Sequence, residues 1–247
     1  MSFVNHDDAS YTDVLENDFS DGGVVRLSPD LNAIPTIITG AYSEKQTLLG
    51  KRVFDFFFSL TMLVFFAPLL LLIFLVIRSD GGHAVFKHRR VGKNGVEFDC
   101  YKFRSMVLNA EDMIDEIIEN DPVRKQEWLS ERKFTDDPRV TKIGDFLRRK
   151  SFDELPQLIN VLRGEMSMIG PRPIVREETL KYGNNFKDYA SVKPGLTGLW
   201  QVSGRNDISY EERVALDVDY VTNLSWRREL GILIKTVVVV MTGRGAR

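Results

Sequence analysis

The 247-residue chain has few of the residues that build disulfide scaffolds and transition-metal sites. It contains one cysteine, Cys100, and three histidines that do not follow the spacing of a metal site. A lone cysteine cannot form an internal disulfide and suits a reducing compartment. The sequence also lacks a Walker A loop and a strand–GxGxxG–helix unit. These absences exclude a disulfide-rich secreted scaffold, a zinc-binding domain, and the P-loop and dinucleotide-binding classes.

Charge is nearly balanced over the whole chain but is distributed unevenly. There are 33 lysines and arginines against 35 acids, yet residues 1–45 hold eight of the acids and only two of the bases. This segment shows no sustained period and no secretory signal, so we expect a disordered acidic tail. The remaining residues carry a net charge of +4, which suits phosphorylated ligands or an anionic membrane surface. We expect no nucleic-acid partner.

Charged residues are also absent from a long apolar stretch, residues 56–77. As a helix rising about 1.5 Å per residue, it is long enough to cross a hydrocarbon core of about 30 Å. Basic residues flank the stretch on both sides, and Pro68 interrupts it. A helix that enters the membrane, bends at Pro68 and leaves on the same side would satisfy both flanks. A kinked spanning helix and a buried core helix are the alternatives.

Beyond this stretch the sequence predicts a small hairpin followed by helices. Strands at 84–91 and 96–106 are joined by a turn that contains Asn94-Gly95. Apolar spacing predicts helices at 107–120, 122–133, 143–150, 155–162, 177–189, 210–222 and 229–242. Glycine and proline predict loops at 164–173 and 194–204. The last helix is apolar enough to lie either in the core or on a membrane surface, and we favour the surface. The predicted class is therefore α+β and mainly helical, with amphipathic interfacial helices.

Two adjacent acids, Asp153 and Glu154, stand at the start of a predicted helix. If Ser151 capped this helix, Pro156 would occupy the fifth helical position, where a backbone N–H is needed. If Asp153 is the cap, Pro156 occupies the third position, where its missing N–H costs nothing. We therefore predict the cap at Asp153, with both acids at the positive end of the helix dipole. In the alternative interpretation the two acids only cap a helix.

Several cations lie near this acidic pair in the sequence. Arg148 precedes it within a run of three basic residues, and Arg172 stands between two prolines in a stiff loop. Such a loop can aim a guanidinium at a phosphate with little entropy to lose. Arg205 occurs in a more flexible context, between Gly204 and Asn206. Adjacent carboxylates with several arginines fit a Mg²⁺–diphosphate site, since Mg²⁺ is usually held by one or two carboxylates and substrate phosphates.

These residues belong to longer motifs that resemble a known family. The motifs are KFRSM at 102–106, SFDELPQLIN at 151–160, VLRGEMS at 161–167, GPRP at 170–173, KPGLTGLWQV at 193–202 and GRN at 204–206. In this order they resemble the bacterial sugar transferases, which are monotopic polyprenyl-phosphate phosphoglycosyl transferases of the exopolysaccharide-initiating type. The likeness covers roughly residues 47–247 and is closest to the small members that consist of the catalytic unit alone.

The resemblance implies a three-part organisation: an acidic tail at 1–45, a re-entrant membrane helix-break-helix at 46–80, and a cytoplasmic catalytic domain at 81–247. The break falls at Ala67-Pro68, where many small members have Ser-Pro. The family's catalytic Asp-Glu dyad corresponds to Asp153-Glu154, which would also hold Mg²⁺. Its phosphate-contacting arginines correspond to Arg148, Arg172 and Arg205. The implied location is the cytoplasmic face of the bacterial inner membrane.

The implied activity transfers a hexose 1-phosphate from a UDP-sugar to undecaprenyl phosphate and releases UMP, through a covalent aspartyl-phosphosugar. Galactose and glucose are the favoured sugars, membrane lipids are further partners, and a homo-oligomer is compatible with the sequence. One alternative is a non-catalytic scaffold that holds anionic lipids. Another is a hydrolase with Asp153 and Glu154 as its acid/base pair, although adjacent residues are poorly placed to flank a glycosidic bond.

Overall fold

A computed structural model describes residues 45–131, 134–204 and 208–242. The predicted acidic tail, except its last residue, and Arg205 lie outside the described residues. The helices are α1 (Lys45–Arg78), α2 (Asp112–Asn120), α3 (Pro122–Glu131), α4 (Lys142–Arg149), α5 (Gln157–Arg163), α6 (Thr179–Tyr182), α7 (Phe186–Ser191), α8 (Tyr210–Thr222) and α9 (Trp226–Thr242). The strands are β1 (Val85–Val91), β2 (Glu97–Phe103), β3 (Ser167–Ile169) and β4 (Gly195–Thr197). The mainly helical α+β class is confirmed.

The apolar stretch forms most of α1, the longest helix of the structure. The helix continues through Ala67 and Pro68. By length and composition its segment Gly50–Arg78 could cross a membrane, and little of it is buried inside the protein. A buried core helix is therefore the wrong interpretation. The re-entrant path and the break at Ala67-Pro68 stay predictions.

Both halves of α1 nevertheless contact the rest of the protein. Before Pro68, Phe54, Phe58, Met62 and Leu63 pack against the main core, which includes Leu158 and Val161 of α5. After Pro68, Ile73 and Ile77 are buried in a second apolar cluster, which includes Phe103 of β2, Leu147 of α4 and Phe152. The helix therefore lies along the protein over most of its length, with its remaining apolar side chains exposed.

Polar contacts fix the first turns of α1. The Lys51 ammonium donates to the carbonyl of Ile169, 3.0 Å away, and pairs with Glu229. The Arg52 guanidinium donates to the last carbonyls of α5, those of Val161 at 2.6 Å and Leu162 at 2.7 Å. Carbonyls at a helix end have no partner within the helix, so Arg52 caps α5.

The Asp55 carboxylate accepts from the Met168 amide at 2.9 Å and the Ser167 hydroxyl at 3.1 Å. Both donors belong to β3. The start of α1 is thereby tied to β3 as well as to α5, by bonds between residues more than 100 positions apart in the sequence.

The predicted hairpin is confirmed. Strands β1 and β2 are antiparallel, with register from Val85 opposite Phe103 to Val91 opposite Glu97. Asn94 adopts a left-handed backbone at the connecting turn, with φ of 59°. Asparagine tolerates this conformation better than most residues, so the turn signal had a sound physical basis.

The two predicted glycine-rich loops contain a small sheet that the sequence did not predict. Strands β3 and β4 pair in parallel, with Ser167 opposite Gly195 and Ile169 opposite Thr197. A Cβ atom on Gly195 would lie only 2.1 Å from the backbone nitrogen of Gly170, so close approach of the two segments requires glycine there. Strands of three residues are too short to show a period, which is why the sequence predicted only loops in these two segments.

Two helix predictions need correction. The predicted helix at 177–189 is divided into α6 and α7, because Gly183 lies between them with a positive φ of 52°. The predicted cap at Asp153 is also wrong. Ser151 adopts a left-handed backbone, residues Phe152–Glu154 form a 3-10 turn, and α5 begins only at Gln157. Pro156 is the N-cap of α5, a position whose N–H makes no hydrogen bond within the helix.

Candidate active site

The Asp153-Glu154 pair lies in the 3-10 turn Phe152–Glu154, between α4 and α5. The turn is held from one side by Phe152, which packs against the apolar cluster that contains Ile77, Phe103 and Leu147. Asp153 is 9% exposed, so its carboxyl group is largely removed from water. An isolated carboxylate in such a position is costly, and its neighbours therefore decide its chemistry.

Glu154 is paired with two cations. Lys102 of β2 donates to its Oε1 atom at 2.8 Å, and Arg172 donates to the same oxygen at 3.3 Å. Burial alone would raise the pKa of Glu154, but the charges and hydrogen bonds of Lys102 and Arg172 outweigh it and lower the pKa to about 2. Glu154 is therefore ionised at neutral pH.

Asp153 is shifted in the opposite direction. Burial, followed by the negative charge of Glu154, raises its pKa above the ordinary value. Lys102, Arg148 and Arg172 act against this rise. Two neighbouring carboxyl groups whose pKa values are driven apart are typical of sites where the two take different chemical roles. Asp153 is the more basic of the pair, and hence the better nucleophile when ionised.

Arg148 stands on the Asp153 side of the pair. Its Nε atom donates to the Ser105 hydroxyl at 2.8 Å. Ser105 lies against Gly144 of α4, where a Cβ atom would come within 1.8 Å of the Ser105 carbonyl oxygen. Burial lowers the pKa of Arg148, while Asp153 is the strongest charge that opposes this shift. The contact between α4 and Ser105 thus fixes Arg148 close enough to act on Asp153 by its charge.

A small cleft opens beside Glu154. Its lining includes Arg90 of β1, Cys100 and Lys102 of β2, Arg172 and Gln201. The cleft is therefore rich in positive charge and suited to an anionic ligand. Burial raises the pKa of the Cys100 thiol, so this cysteine is a neutral wall residue rather than a thiolate.

The acids present fit one kind of metal. Over the described ranges, no group of three or more His, Cys, Asp and Glu side chains is placed to hold an ion. A closed protein site for zinc or calcium is thus not formed there. Mg²⁺ needs only one or two carboxylates when substrate phosphates and water supply the other ligands. Asp153 and Glu154 meet that requirement.

Comparison with known proteins identifies the family. The sequence pattern of the bacterial sugar transferases matches residues 46–243. The chain belongs to the bacterial sugar transferase family. The match covers well over half of the chain and confirms the resemblance that the motifs indicated.

Relatives of this chain carry related names. The undecaprenyl-phosphate galactose phosphotransferase of Salmonella typhimurium is 47% identical over 204 residues, which are 83% of this chain and 43% of that protein. The exopolysaccharide production protein ExoY of Sinorhizobium fredii is 46% identical over 199 residues, 80% of this chain and 88% of the relative. The UDP-glucose:undecaprenyl-phosphate glucose-1-phosphate transferase of Caulobacter vibrioides is 38% identical over 227 residues, 88% of this chain and 79% of the relative. The chain thus spans less than half of the Salmonella protein.

The structure brings four of the five predicted site residues of this chain together: Asp153, Glu154, Arg148 and Arg172. Arg205 lies outside the described residues. Sequence reasoning missed Lys102, although it is part of the KFRSM motif, and Arg90. Alternation along β1 and β2 was the available signal, because it places Arg90, Cys100 and Lys102 on the same face of the hairpin.

Proposed function

We propose that this protein transfers a sugar 1-phosphate from a UDP-sugar to undecaprenyl phosphate and releases UMP. The supporting observation is the Asp153-Glu154 pair, whose pKa values are driven apart, beside a cationic cleft. The names of relatives at up to 47% identity support the same substrates. Those names also make galactose and glucose the sugars to test first.

The reaction has two displacements at one phosphorus atom. The Asp153 carboxylate attacks the β-phosphorus of the UDP-sugar, and the bond from this phosphorus to the bridging oxygen breaks, so UMP departs with the electron pair. The acyl phosphate that remains links the sugar phosphate to Asp153. A phosphate oxygen of undecaprenyl phosphate then attacks the same phosphorus and frees the carboxylate. Covalent catalysis divides one difficult displacement into two easier ones.

The other residues of the site control charge. An anionic nucleophile and an anionic diphosphate repel each other, and Lys102, Arg148 and Arg172 offset this repulsion. Glu154 holds Lys102 and Arg172 by hydrogen bonds at the edge of the cleft. Mg²⁺, bound through Glu154 and Asp153, would neutralise phosphate charge as it does in other phosphoryl transfers.

We also propose that the protein is monotopic, at the cytoplasmic face of the inner membrane. Side chains from Phe54 to Ile77 of α1 contact the same catalytic body, over about 35 Å of helix. A helix that crossed the bilayer would leave that body, so the contacts favour a helix that stays on the body's side of the membrane. In α9 an exposed apolar stripe follows helical spacing and would rest on the lipid surface: Leu230, Ile234, Val237, Val238 and Met241.

The decisive experiment measures UMP from the full-length protein in lipid nanodiscs with Mg²⁺, undecaprenyl phosphate and a panel of UDP-sugars. We expect UMP from at least one donor, and expect lipid-linked sugar diphosphate in equal amount. Without the lipid acceptor, intact-mass analysis should find the protein heavier by one sugar phosphate. No UMP from any donor would favour the scaffold, and free sugar without dependence on the lipid would favour the hydrolase.

A further inference from the structure

Two consecutive arginines of β1 have different environments. Arg89 is on the outer face of the hairpin, its side chain is 67% exposed, and it pairs with Asp99 at 3.4 Å. Arg90 is on the inner face, its side chain is only 16% exposed, and it lines the cleft together with Lys102, Glu154 and Arg172. Burying an arginine costs free energy unless a partner compensates, so the position of Arg90 requires an explanation.

The described partners hold Arg90 in place but offset its charge weakly. Its Nη1 atom donates to the Pro173 carbonyl at 3.4 Å, and its Nη2 atom donates to Nδ1 of His88 at 3.1 Å. Guanidinium has no acceptor, so Nδ1 of His88 is the unprotonated nitrogen. Burial, together with the charges of Arg90 and Lys102, lowers the pKa of His88 to about 4, so this partner is neutral at pH 7. The nearest acid, Glu178, is 3.7 Å away.

The chain orders Arg90 and Arg172 along the cleft. Arg172 contacts Glu154 on one side, and its next residue, Pro173, accepts from Arg90 on the other. Burial and the positive charge of Arg172 both lower the pKa of Arg90, as expected for two like charges that line the same cleft. An anion bound between them would relieve this repulsion.

We propose that Arg90 is a substrate-binding residue that contacts the α-phosphate of the nucleotide donor, the phosphate that departs with UMP. This inference rests on the proposed function. The order Glu154, Arg172, Arg90 matches a diphosphate whose β-phosphorus faces the acidic pair and whose α-phosphate lies further along the cleft. The guanidinium, aimed by His88 and Pro173, is ready for a phosphate without loss of side-chain entropy.

The test compares Arg90→Gln with Arg89→Gln in the full-length protein in nanodiscs. Binding of UMP, measured by titration calorimetry, should weaken about tenfold or more in Arg90→Gln, as expected for loss of a charge-assisted hydrogen bond. The KM for the UDP-sugar should rise, and the KM for undecaprenyl phosphate should stay unchanged. Arg89→Gln should match the wild type in all three values, because Arg89 faces away from the cleft.

The proposal would be overturned if Arg90→Gln bound UMP as tightly as the wild type does. It would also be overturned if only the KM for undecaprenyl phosphate rose. If Arg90→Gln does not fold, as judged by thermal unfolding, Arg90→Lys replaces it. Lysine lacks the planar fork by which one guanidinium can contact His88 and a phosphate together. We therefore again expect weaker UMP binding, and unchanged binding would contradict the proposal. The proposed function is checked separately: it fails if the wild type releases no UMP from any UDP-sugar.

Discussion

Asp153 and Asp217 are both buried aspartates, but their surroundings differ. Asp153 has Glu154 beside it, and three cations act on it. Asp217 of α8 is 1% exposed and accepts one hydrogen bond, from the Tyr182 hydroxyl at 2.7 Å. Burial raises the pKa of both carboxyl groups, and that of Asp217 reaches about 7. A raised pKa by itself therefore does not distinguish a chemical site from a structural one.

The charges around each acid make the distinction. Around Asp153, fixed cations can receive phosphate oxygens, and a cleft opens beside its neighbour Glu154. Asp217 instead contacts Tyr182, which belongs to a third apolar cluster together with Val214. Its Oδ1 atom has no hydrogen-bond partner among the described residues, which favours the protonated form. We infer that Asp217 serves the fold, and Asp153 the reaction.

The sharpest test of this comparison exchanges each aspartate for asparagine. Asp153→Asn should lower turnover by about a thousandfold or more, because an amide cannot form the acyl phosphate. The covalent adduct should also disappear from the mass spectrum. Asp217→Asn is the matched control and should keep turnover near the wild-type value. Equal losses in the two variants would remove the distinction.

Glu154→Gln should give the next largest effect. We expect turnover to fall roughly a hundredfold, since a neutral amide pairs more weakly with Lys102 and Arg172 and is a poorer ligand for Mg²⁺ than a carboxylate. The measurement is turnover against Mg²⁺ concentration, and half-maximal turnover should require more metal than in the wild type. An unchanged Mg²⁺ titration would refute the metal role of Glu154.

Lys102→Met should lower kcat/KM about tenfold, the scale of one charge-assisted hydrogen bond. Loss of this ammonium also lets the pKa of Glu154 rise from about 2 toward its ordinary value. The acidic limb of the pH–rate profile should therefore move to higher pH. Lys87→Met, on the other face of the same hairpin, is the control. A profile that stays in place would show that Arg172 alone sets the state of Glu154.

The last prediction concerns stability rather than turnover. Asp217 binds its proton more tightly in the folded protein than in the unfolded one. Its contribution to the free energy of unfolding is therefore complete below pH 3.8 and is lost as pH rises toward about 7. Between these pH values Asp217 changes the free energy of unfolding by at most about 1.4 kcal/mol per pH unit. Asp217→Asn should flatten the pH dependence of the unfolding free energy there. Parallel curves for variant and wild type would contradict the raised pKa.

Local signals in the sequence predicted part of the site and part of the fold. Helix α8 has the predicted bounds, because Ser209 and Glu212 form a capping box before a regular apolar pattern. The dyad and Arg172 were found because each lies in a motif with unusual local chemistry. Lys102 and Arg90 reach the site through strand pairing, which joins residues distant in sequence. The left-handed backbone of Ser151 left no trace in residue type, and so the start of α5 was misplaced.

The bonds from Arg52 and Asp55 to α5 and β3 have a practical consequence for protein engineering. A truncated version that begins after residue 78 would not simply be a catalyst freed from its anchor. It would strip the cap from the helix that follows Asp153 and uncover the apolar surface beneath it. Designs of a soluble version should therefore keep α1 and replace the apolar residues on its exposed side with polar ones.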